Sequence, residues 1–323
     1  MRFATLRDGS PDGKLVLVSG DGLRALAIGQ SWPNLLSAIA QWQAAEPALR
    51  ACADRVESDG TPIDPAHLAA PLPRTWQWLD GSAFETHGKL MQVAFGADPI
   101  SSDRPLMYQG ISDCFYGPCE DIFFPDDRLG IDFEGEYGVI VDRVPLGISA
   151  ADAEVHIRLI VQINDWSLRT IAPVEMKTGF GWVQAKPPCS VAPFAVTPDE
   201  LGTSWNDGRV ALPLYIDWNG RRFGQANGQE MQFSFPELVA HAARTRELVA
   251  GTIIGSGTVS NADYATVGSS CISEVRAIEI IAEGKPKTRF MTDRDHVRME
   301  AKTDDGGTPF GAIDQHVRIS GTR

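Results

Sequence analysis

The chain has 323 residues, with 29 Lys and Arg against 42 Asp and Glu, a formal net charge of −13. Its 43% hydrophobic and 22% charged content describes a globular protein with enough chain for a large core and excludes a disordered one. The acidic balance argues against nucleic acid and anionic membrane surfaces as partners, since like charges repel, and no run approaches the roughly 18 apolar residues of a membrane span.

The opening MRFATLRDGS has no apolar stretch after its first basic residue, so no signal peptide is expected. Five scattered cysteines, Cys52, Cys114, Cys119, Cys189 and Cys271, do not make a disulfide framework and predict reduced thiols in a cytoplasmic protein. No second Cys or His pair stands near Cys114 and Cys119 to complete a zinc site. Cys271 reads as a small core residue.

Residues 2–28 read as a small β unit, with Phe3–Leu6 and Leu15–Ser19 flanking a turn rich in Asp, Gly, Ser and Pro. A helix is expected from about Pro33: Ser31 is placed to cap it, and Leu35, Ile39 and Trp42 share a face. The Pro-rich, aperiodic stretch 57–74 reads as a linker that ends a small N-terminal domain. Beyond Trp76, Ser82 and Glu85 have capping-box spacing ahead of Phe84, Leu90, Met91 and Phe95, which predicts a short helix over 83–95. Strand patterns follow at Ile131–Val141, Ile157–Ile163, Leu212–Trp218, Ile278–Ala282 and Val297–Ala301. A second capping box, Ser234 to Glu237 with Pro236 between, starts a helix expected to end near Gly251. Many strands, few helices, 31 Gly and 21 Pro predict an α+β, mostly β body.

The chemistry concentrates in GIDFEGEYGVIVD, residues 130–142. In a strand, Asp132, Glu134 and Glu136 fall on one face and Phe133, Tyr137, Val139 and Val141 on the other. Three carboxylates in a row repel one another, so open water or a cation must compensate. Without His or Cys nearby, the cation would be a hard one such as Mg2+, Mn2+ or Ca2+. Asp165 follows an apolar strand directly, and Arg169, four residues on, is placed to pair with it or to bind an anionic substrate. Asp80 and His87 stand seven apart in DGSAFETH, at one end of the expected helix.

Together these runs resemble the fumarylacetoacetate hydrolase family over about residues 76–320, and the N-terminal unit also fits its bacterial members. DFEGE resembles the family's Asp-x-Glu-x-Glu, which implies Glu134 and Glu136 as metal ligands. NDWSLR at 164–169 implies Asp165 as the third ligand and Arg169 near the substrate. DGSAFETH implies Asp80 as the fourth ligand and His87 as general base. GTIIGSGTVSN at 251–261 implies Thr258 in the substrate pocket, and GSSCISEVR at 268–276 implies Glu274 as the partner of the base. Lys186 in QAKPP resembles the pocket lysine, and Tyr108 in YQGISD a substrate-contacting tyrosine. Two departures stand out: the spacing before Glu274 is longer, and the usual Gly-Asp pair near the C terminus reads Arg294-Asp295.

The resemblance implies a mixed β-sheet roll (76–323) carrying a small N-terminal α/β accessory domain (1–75). It implies a metal-dependent hydrolase, with Mg2+, Ca2+ or Mn2+, that cleaves a carbon–carbon bond of a 1,3-diketo acid. Fumarylacetoacetate, cleaved to fumarate and acetoacetate in tyrosine degradation, is one such substrate, and acylpyruvates are others. Related decarboxylases, isomerases and dehydratases share the metal triad and remain the alternative. Family members are usually homodimers; in this sequence only the exposed-looking Trp166, Trp182 and Trp205 speak for that.

Overall fold

The computed structural model describes residues 1–29, 31–96 and 103–320. β1 (Arg2–Leu6) and β2 (Lys14–Val18) pair antiparallel around the expected turn, and β3 (Arg24–Ala27) joins them. The first helix, α1 (Leu35–Ala40), is capped by Asn34 and not by Ser31: the Asn34 side-chain oxygen accepts from the Ser37 N–H at 2.8 Å. Pro33 stays outside the helix, where its carbonyl accepts from the Leu15 N–H. Trp42 opens a second helix, α2 (Trp42–Ala53), yet shares the buried cluster of Leu35 and Ile39.

Residues 57–74 are not a linker. They hold the end of α3 (Val56–Asp59), then β4 (Thr61–Pro62) and β5 (Leu68–Ala69), which pair with β3 and β1, and Leu68, Ala70 and Leu72 are buried. Two-residue strands leave no periodicity to detect, and Pro62 is tolerated because β4 lies at the sheet edge.

Ser82 is consumed by β6 (Trp78–Ser82), so it caps nothing; α4 (Glu85–Phe95) starts after Phe84 without a side-chain cap and ends on Gly96. Next come β7 (Leu106–Gly110) and β8 (Ile122–Phe124). The expected strand 131–141 is broken into β9 (Ile131–Asp132) and β10 (Gly135–Val141), because the Glu134 N–H bonds the Asn164 side chain instead of a neighbouring strand. α5 (Ala150–Ala153), β11 (Ile157–Asn164), β12 (Ser167–Leu168) and α6 (Ala172–Thr178) follow, then β13 (Ser190–Val191) and β14 (Ala195–Val196). β15 (Trp205–Asn206) and β16 (Arg209–Val210) form a small hairpin before β17 (Pro213–Trp218) and β18 (Arg221–Asn227).

Both halves of the Ser234/Glu237 capping box form at α7 (Phe235–Ala242). That helix ends well short of Gly251, because Leu248 is drawn into a bridge with Val144. After β19 (Ile253–Thr258) and α8 (Tyr264–Val267) comes α9 (Ile272–Glu283), which contains the stretch 278–282 expected as a strand. A short apolar run fits either state; here Cys271 caps the start and Gly284 takes the left-handed conformation at the end, so a helix forms. β20 (His296–Ala301) and β21 (Ala312–Ile319) complete the described chain.

The result is an α+β fold, mostly β, with mixed sheets. Among the described residues, one sheet of twelve strands has the order β4-β3-β2-β1-β14-β11-β10-β19-β6-β7, with β13 beside β11 and β5 beside β1. A five-stranded sheet runs β18-β17-β20-β21-β8. Phe133, Tyr137, Val139 and Val141 all enter the main core, as the alternation predicts. Trp166, expected at the surface, is fully buried there and donates to Ser190 Oγ at 2.8 Å. Trp182 and Trp205 are partly buried, stacked on Tyr108 and Phe235. No helix of the described residues is long and apolar enough to cross a membrane.

Candidate active site

Four adjacent strands and one strand end set the site. In β10, Glu136 lies opposite Thr258 of β19; β19 runs parallel to β6 and places Gly255 beside Asp80; β7 then places Tyr108 opposite Asp80. Asp165 follows the end of β11, on the other side of β10. Two glycines in β19 let Asp80 reach the centre. A Cβ at Gly255 would collide with the Asp80 carboxylate, and Gly257, at φ 75°, gives its N–H to Asp80 Oδ1 at 3.2 Å. Asp80, Tyr108, Glu136 and Thr258, with His87 of α4, Arg169, Trp182 and Lys186, line a cavity of about 560 Å³. Arg104, Leu106, Met107 and Tyr108 from one stretch of the chain, and Met176, Trp182 and Lys186 from another, also line it.

The row Asp132, Glu134, Glu136 is buried, with none of the three more than 3% exposed, so water does not compensate it. The three carboxylates have different surroundings. Asp132 accepts from the Ile272 and Ser273 N–H groups at 2.7 and 2.9 Å, the first turn of α9, and from Arg169 Nε at 2.8 Å. Glu134 is held between Arg169 Nη2 and Lys186 Nζ, each at 2.5 Å. Glu136 has no hydrogen-bond partner on either oxygen among the described residues. Arg169 therefore pairs with Asp132 and Glu134 rather than with Asp165. Asp165 is bonded instead by Lys186 Nζ at 2.5 Å, the Tyr108 hydroxyl at 2.7 Å and the Cys189 thiol at 3.0 Å.

The acid strengths follow. Burial raises the Glu136 carboxyl well above its ordinary range, and the negative charges of Asp80 and Asp165 push the same way. Asp80 is raised by burial and by Asp165, and Asp165 is raised mainly by burial. Glu134 feels the same burial, but Arg169 and Lys186 overcome it and hold its pKa below the usual range. Burial alone would lower Lys186; Asp165 and Glu134 raise it instead.

Asp80, Glu136 and Asp165 each bring a carboxylate oxygen within 4.8 Å of the others. An all-oxygen set with one unpartnered dicoordinating carboxylate fits a hard divalent cation. Glu134 lies beside this trio with both oxygens already engaged by Arg169 and Lys186. Across the cavity, His87 Nδ1 lies 2.8 Å from Glu274 Oε1. His87 comes from α4 and Glu274 from the first turn of α9, so the longer spacing before Glu274 does not prevent the contact. Thr258 lines the cavity with an unpartnered Oγ1 among the described residues.

Three residues of this centre have no site role in the sequence reading. Cys189 supports Asp165, and no motif marks it. Trp182 stacks on Tyr108 with centroids 5.3 Å apart, and Lys186 Nζ lies 5.3 Å from its ring; an isolated Trp in a loop carries no spacing signal. Cys271 lies with His87 and Glu274 although no His is near it in the chain.

Residues 77–318 match the family model "Fumarylacetoacetate (FAA) hydrolase C-terminal", and residues 1–74 match "Fumarylacetoacetase N-terminal domain 2". The chain belongs to the fumarylacetoacetate hydrolase family. Its curated relatives include the 2,4-didehydro-3-deoxy-L-rhamnonate hydrolase of Sphingomonas sp. (strain SKA58), 26% identical over 50% of this chain and 54% of that protein. The human mitochondrial oxaloacetate tautomerase FAHD2B is 23% identical over 76% of each chain. The chain spans about half the length of the first curated relatives it matches, 54% and 48%. Among solved structures, the maleylpyruvate hydrolase of Sphingobium sp. SYK-6, in complex with manganese (II) ion and pyruvate, aligns with TM-score 0.65 at 18% identity, covering 98% of this chain and all of that one. The 5-carboxymethyl-2-hydroxymuconate delta-isomerase of Mycobacterium smegmatis aligns with TM-score 0.62, also at 18% identity, over 100% of both chains. These likenesses show the fold.

Proposed function

We propose that this fumarylacetoacetate hydrolase family protein is a hydrolase that cleaves a carbon–carbon bond of a 1,3-diketo acid, such as fumarylacetoacetate or an acylpyruvate. The observation that carries the reading is the His87–Glu274 pair, whose His87 stands on the wall of the cavity that Asp80, Glu134 and Glu136 also line. Asp80, Glu136 and Asp165, with Glu134 beside them, would hold Mg2+, Ca2+ or Mn2+, which when bound supplies Lewis-acid polarisation of the substrate's oxygens.

The chain's own residues supply the rest. With Nδ1 held by Glu274, His87 keeps Nε2 to take a proton from an attacking water, and the Glu274 carboxylate stabilises the imidazolium that results. The same imidazolium can return the proton to the departing enolate carbon. The Lys186 ammonium is placed for a developing oxyanion or a substrate carboxylate. Arg169 neutralises Glu134 beside the cavity, and Tyr108 fixes Asp165 while presenting its ring to the substrate. Thr258 offers a free hydroxyl.

The test is a spectrophotometric assay of the purified protein on fumarylacetoacetate, acylpyruvates and oxaloacetate, with each cation added. Hydrolysis of a diketo acid supports the reading. Conversion of oxaloacetate alone favours the second reading, a tautomerase, decarboxylase or isomerase, which the oxaloacetate tautomerase relative along three-quarters of the chain brings forward. The same proposal divides the chain into an accessory unit, 1–75, and a catalytic unit, 76–323, which the family matches to 1–74 and 77–318 support. It takes the protein as a cytoplasmic homodimer. Five free thiols support the compartment, and the exposed Phe180 and Val183 near Trp182 support a dimer, which light scattering tests.

A further inference from the structure

Beside the carboxylate trio lies a second group of potential ligands with different chemistry. His87, Cys271 and Glu274 each bring a ligand atom within 4.8 Å of the others. Cys271 and Glu274 are fully buried, and the His87 side chain is 12% exposed to the cavity. Glu274 Oε1 lies against His87 Nδ1, while its Oε2, also buried, has no partner among the described residues. Cys271 packs with Leu90, Met91 and Ala277, and among the described residues its sulfur accepts one hydrogen bond, from the Glu274 N–H at 3.4 Å, a weak contact that leaves its lone pairs largely unused.

We propose that His87, Cys271 and Glu274 form a binding site for a thiophilic divalent ion of the zinc type, separate from the hard-cation trio. One nitrogen, one thiolate and one carboxylate are three of the donors zinc accepts, and the cavity supplies water for the fourth position. Ligand atoms around a tetrahedral zinc sit about 3.3–3.6 Å apart, so separations of up to 4.8 Å have to close by about an ångström, while the 2.8 Å contact of His87 Nδ1 with Glu274 Oε1 gives way as His87 or Glu274 turns to the ion. The thiol proton leaves to solvent as the ion enters. Donor softness separates the two sites: three carboxylates prefer Mg2+ or Ca2+, and the mixed set prefers zinc. The bound ion occupies the imidazole and its carboxylate partner, so it silences turnover. That consequence rests on His87 being the base proposed above; the binding does not.

The test uses the full chain with Cys114→Ser and Cys119→Ser, so that exposed thiols do not contribute, with the carboxylate site saturated by Mg2+. Co2+ is added as the spectroscopic probe and Zn2+ as competitor. The expected result is a thiolate-to-cobalt charge-transfer band in the near ultraviolet that Zn2+ abolishes. The band survives Cys189→Ser and is lost in Cys271→Ser, which keeps an oxygen to cap α9. In Glu274→Gln, Co2+ binding weakens by roughly a hundredfold or more, since even outer-shell changes cost about 10–100-fold. Absence of the band, its persistence in Cys271→Ser, its dependence on Cys189, or unchanged affinity in Glu274→Gln overturns the proposal. If Cys271→Ser does not fold, the Glu274→Gln titration decides. A band without diketo-acid hydrolysis defeats only the functional reading, and hydrolysis without a band defeats only this one.

Discussion

Asp132 gives the sharpest test, because its neighbours Glu134 and Glu136 share its strand face but not its surroundings. Asp132→Ala removes the acceptor of two α9 amides and of Arg169 Nε. Breaking a buried ion pair costs about 3–5 kcal/mol, since the partner charge is left uncompensated. Glu134 still faces Arg169, and water entering the hole relieves the two orphaned amides, so the lower half of that range is the better expectation. At about 2 °C per kcal/mol for a chain of this size, the midpoint falls by roughly 6–8 °C. Asp132→Asn keeps one acceptor and loses about 2 kcal/mol. Thermal unfolding followed by circular dichroism, with and without Mg2+, reads both. The stabilisation that Mg2+ gives is expected to survive in both variants, because Asp132 is outside the carboxylate trio. A midpoint within about 2 °C of wild type, or loss of the Mg2+ effect, refutes the assignment of Asp132 as the clamp on α9.

Four further expectations follow from the same geometry. Glu136→Gln makes the cation-free protein more stable, since it removes an unpartnered buried carboxylate, yet it lowers Mg2+ affinity by about tenfold and the Mg2+-dependent stabilisation by about 1.4 kcal/mol; a retained thermal shift contradicts it. His87→Ala lowers turnover by about 10²–10⁴-fold while the Mg2+ thermal shift persists, and normal turnover removes His87 from the mechanism. Asp80, Glu136 and Asp165 have raised pKa values, so the folded state holds protons that the unfolded chain has released. Stability from these groups therefore falls as pH rises above about 4; unfolding scans between about pH 5 and pH 8 should show this slope without divalent cation and flatten with Mg2+, and equal slopes would sink the idea. Arg294 sits at φ 67°, where the family's glycine would be unstrained, so Arg294→Gly should stabilise by about 0.5–1 kcal/mol in urea unfolding.

Much of the fold was legible where a local rule sufficed. The alternation along residues 131–141 put Phe133, Tyr137, Val139 and Val141 into the core, and the Ser234/Glu237 pair marked the start of α7. The same rule misled at Ser82, because a capping-box spacing carries no information about whether the preceding residues are in a strand. Ile278–Ala282 was ambiguous for a related reason: four apolar residues in five fit a strand or one turn of a helix, and the caps that decided it lie outside the run. Trp166 was placed at the surface because nothing local shows that two sheets close over it.

The sequence by itself determined the chemical inventory: a row of carboxylates, an Asp after an apolar strand, and a His seven residues from another Asp. It also determined the family, through the order of those runs. Only the tertiary structure decided how the inventory is divided. Asp132, Glu134 and Glu136 are equivalent by strand periodicity, but α9, Arg169 and Lys186 come from distant parts of the chain and reach only the first two. Charge compensation acts over a few ångströms in space, and sequence spacing does not report such distances once the chain has crossed the sheet. That is why Glu136 is left without a hydrogen-bond partner among the described residues, why Cys271 meets a histidine 184 positions before it, and why part of the −13 of the opening count is a buried, cation-ready cluster rather than surface charge.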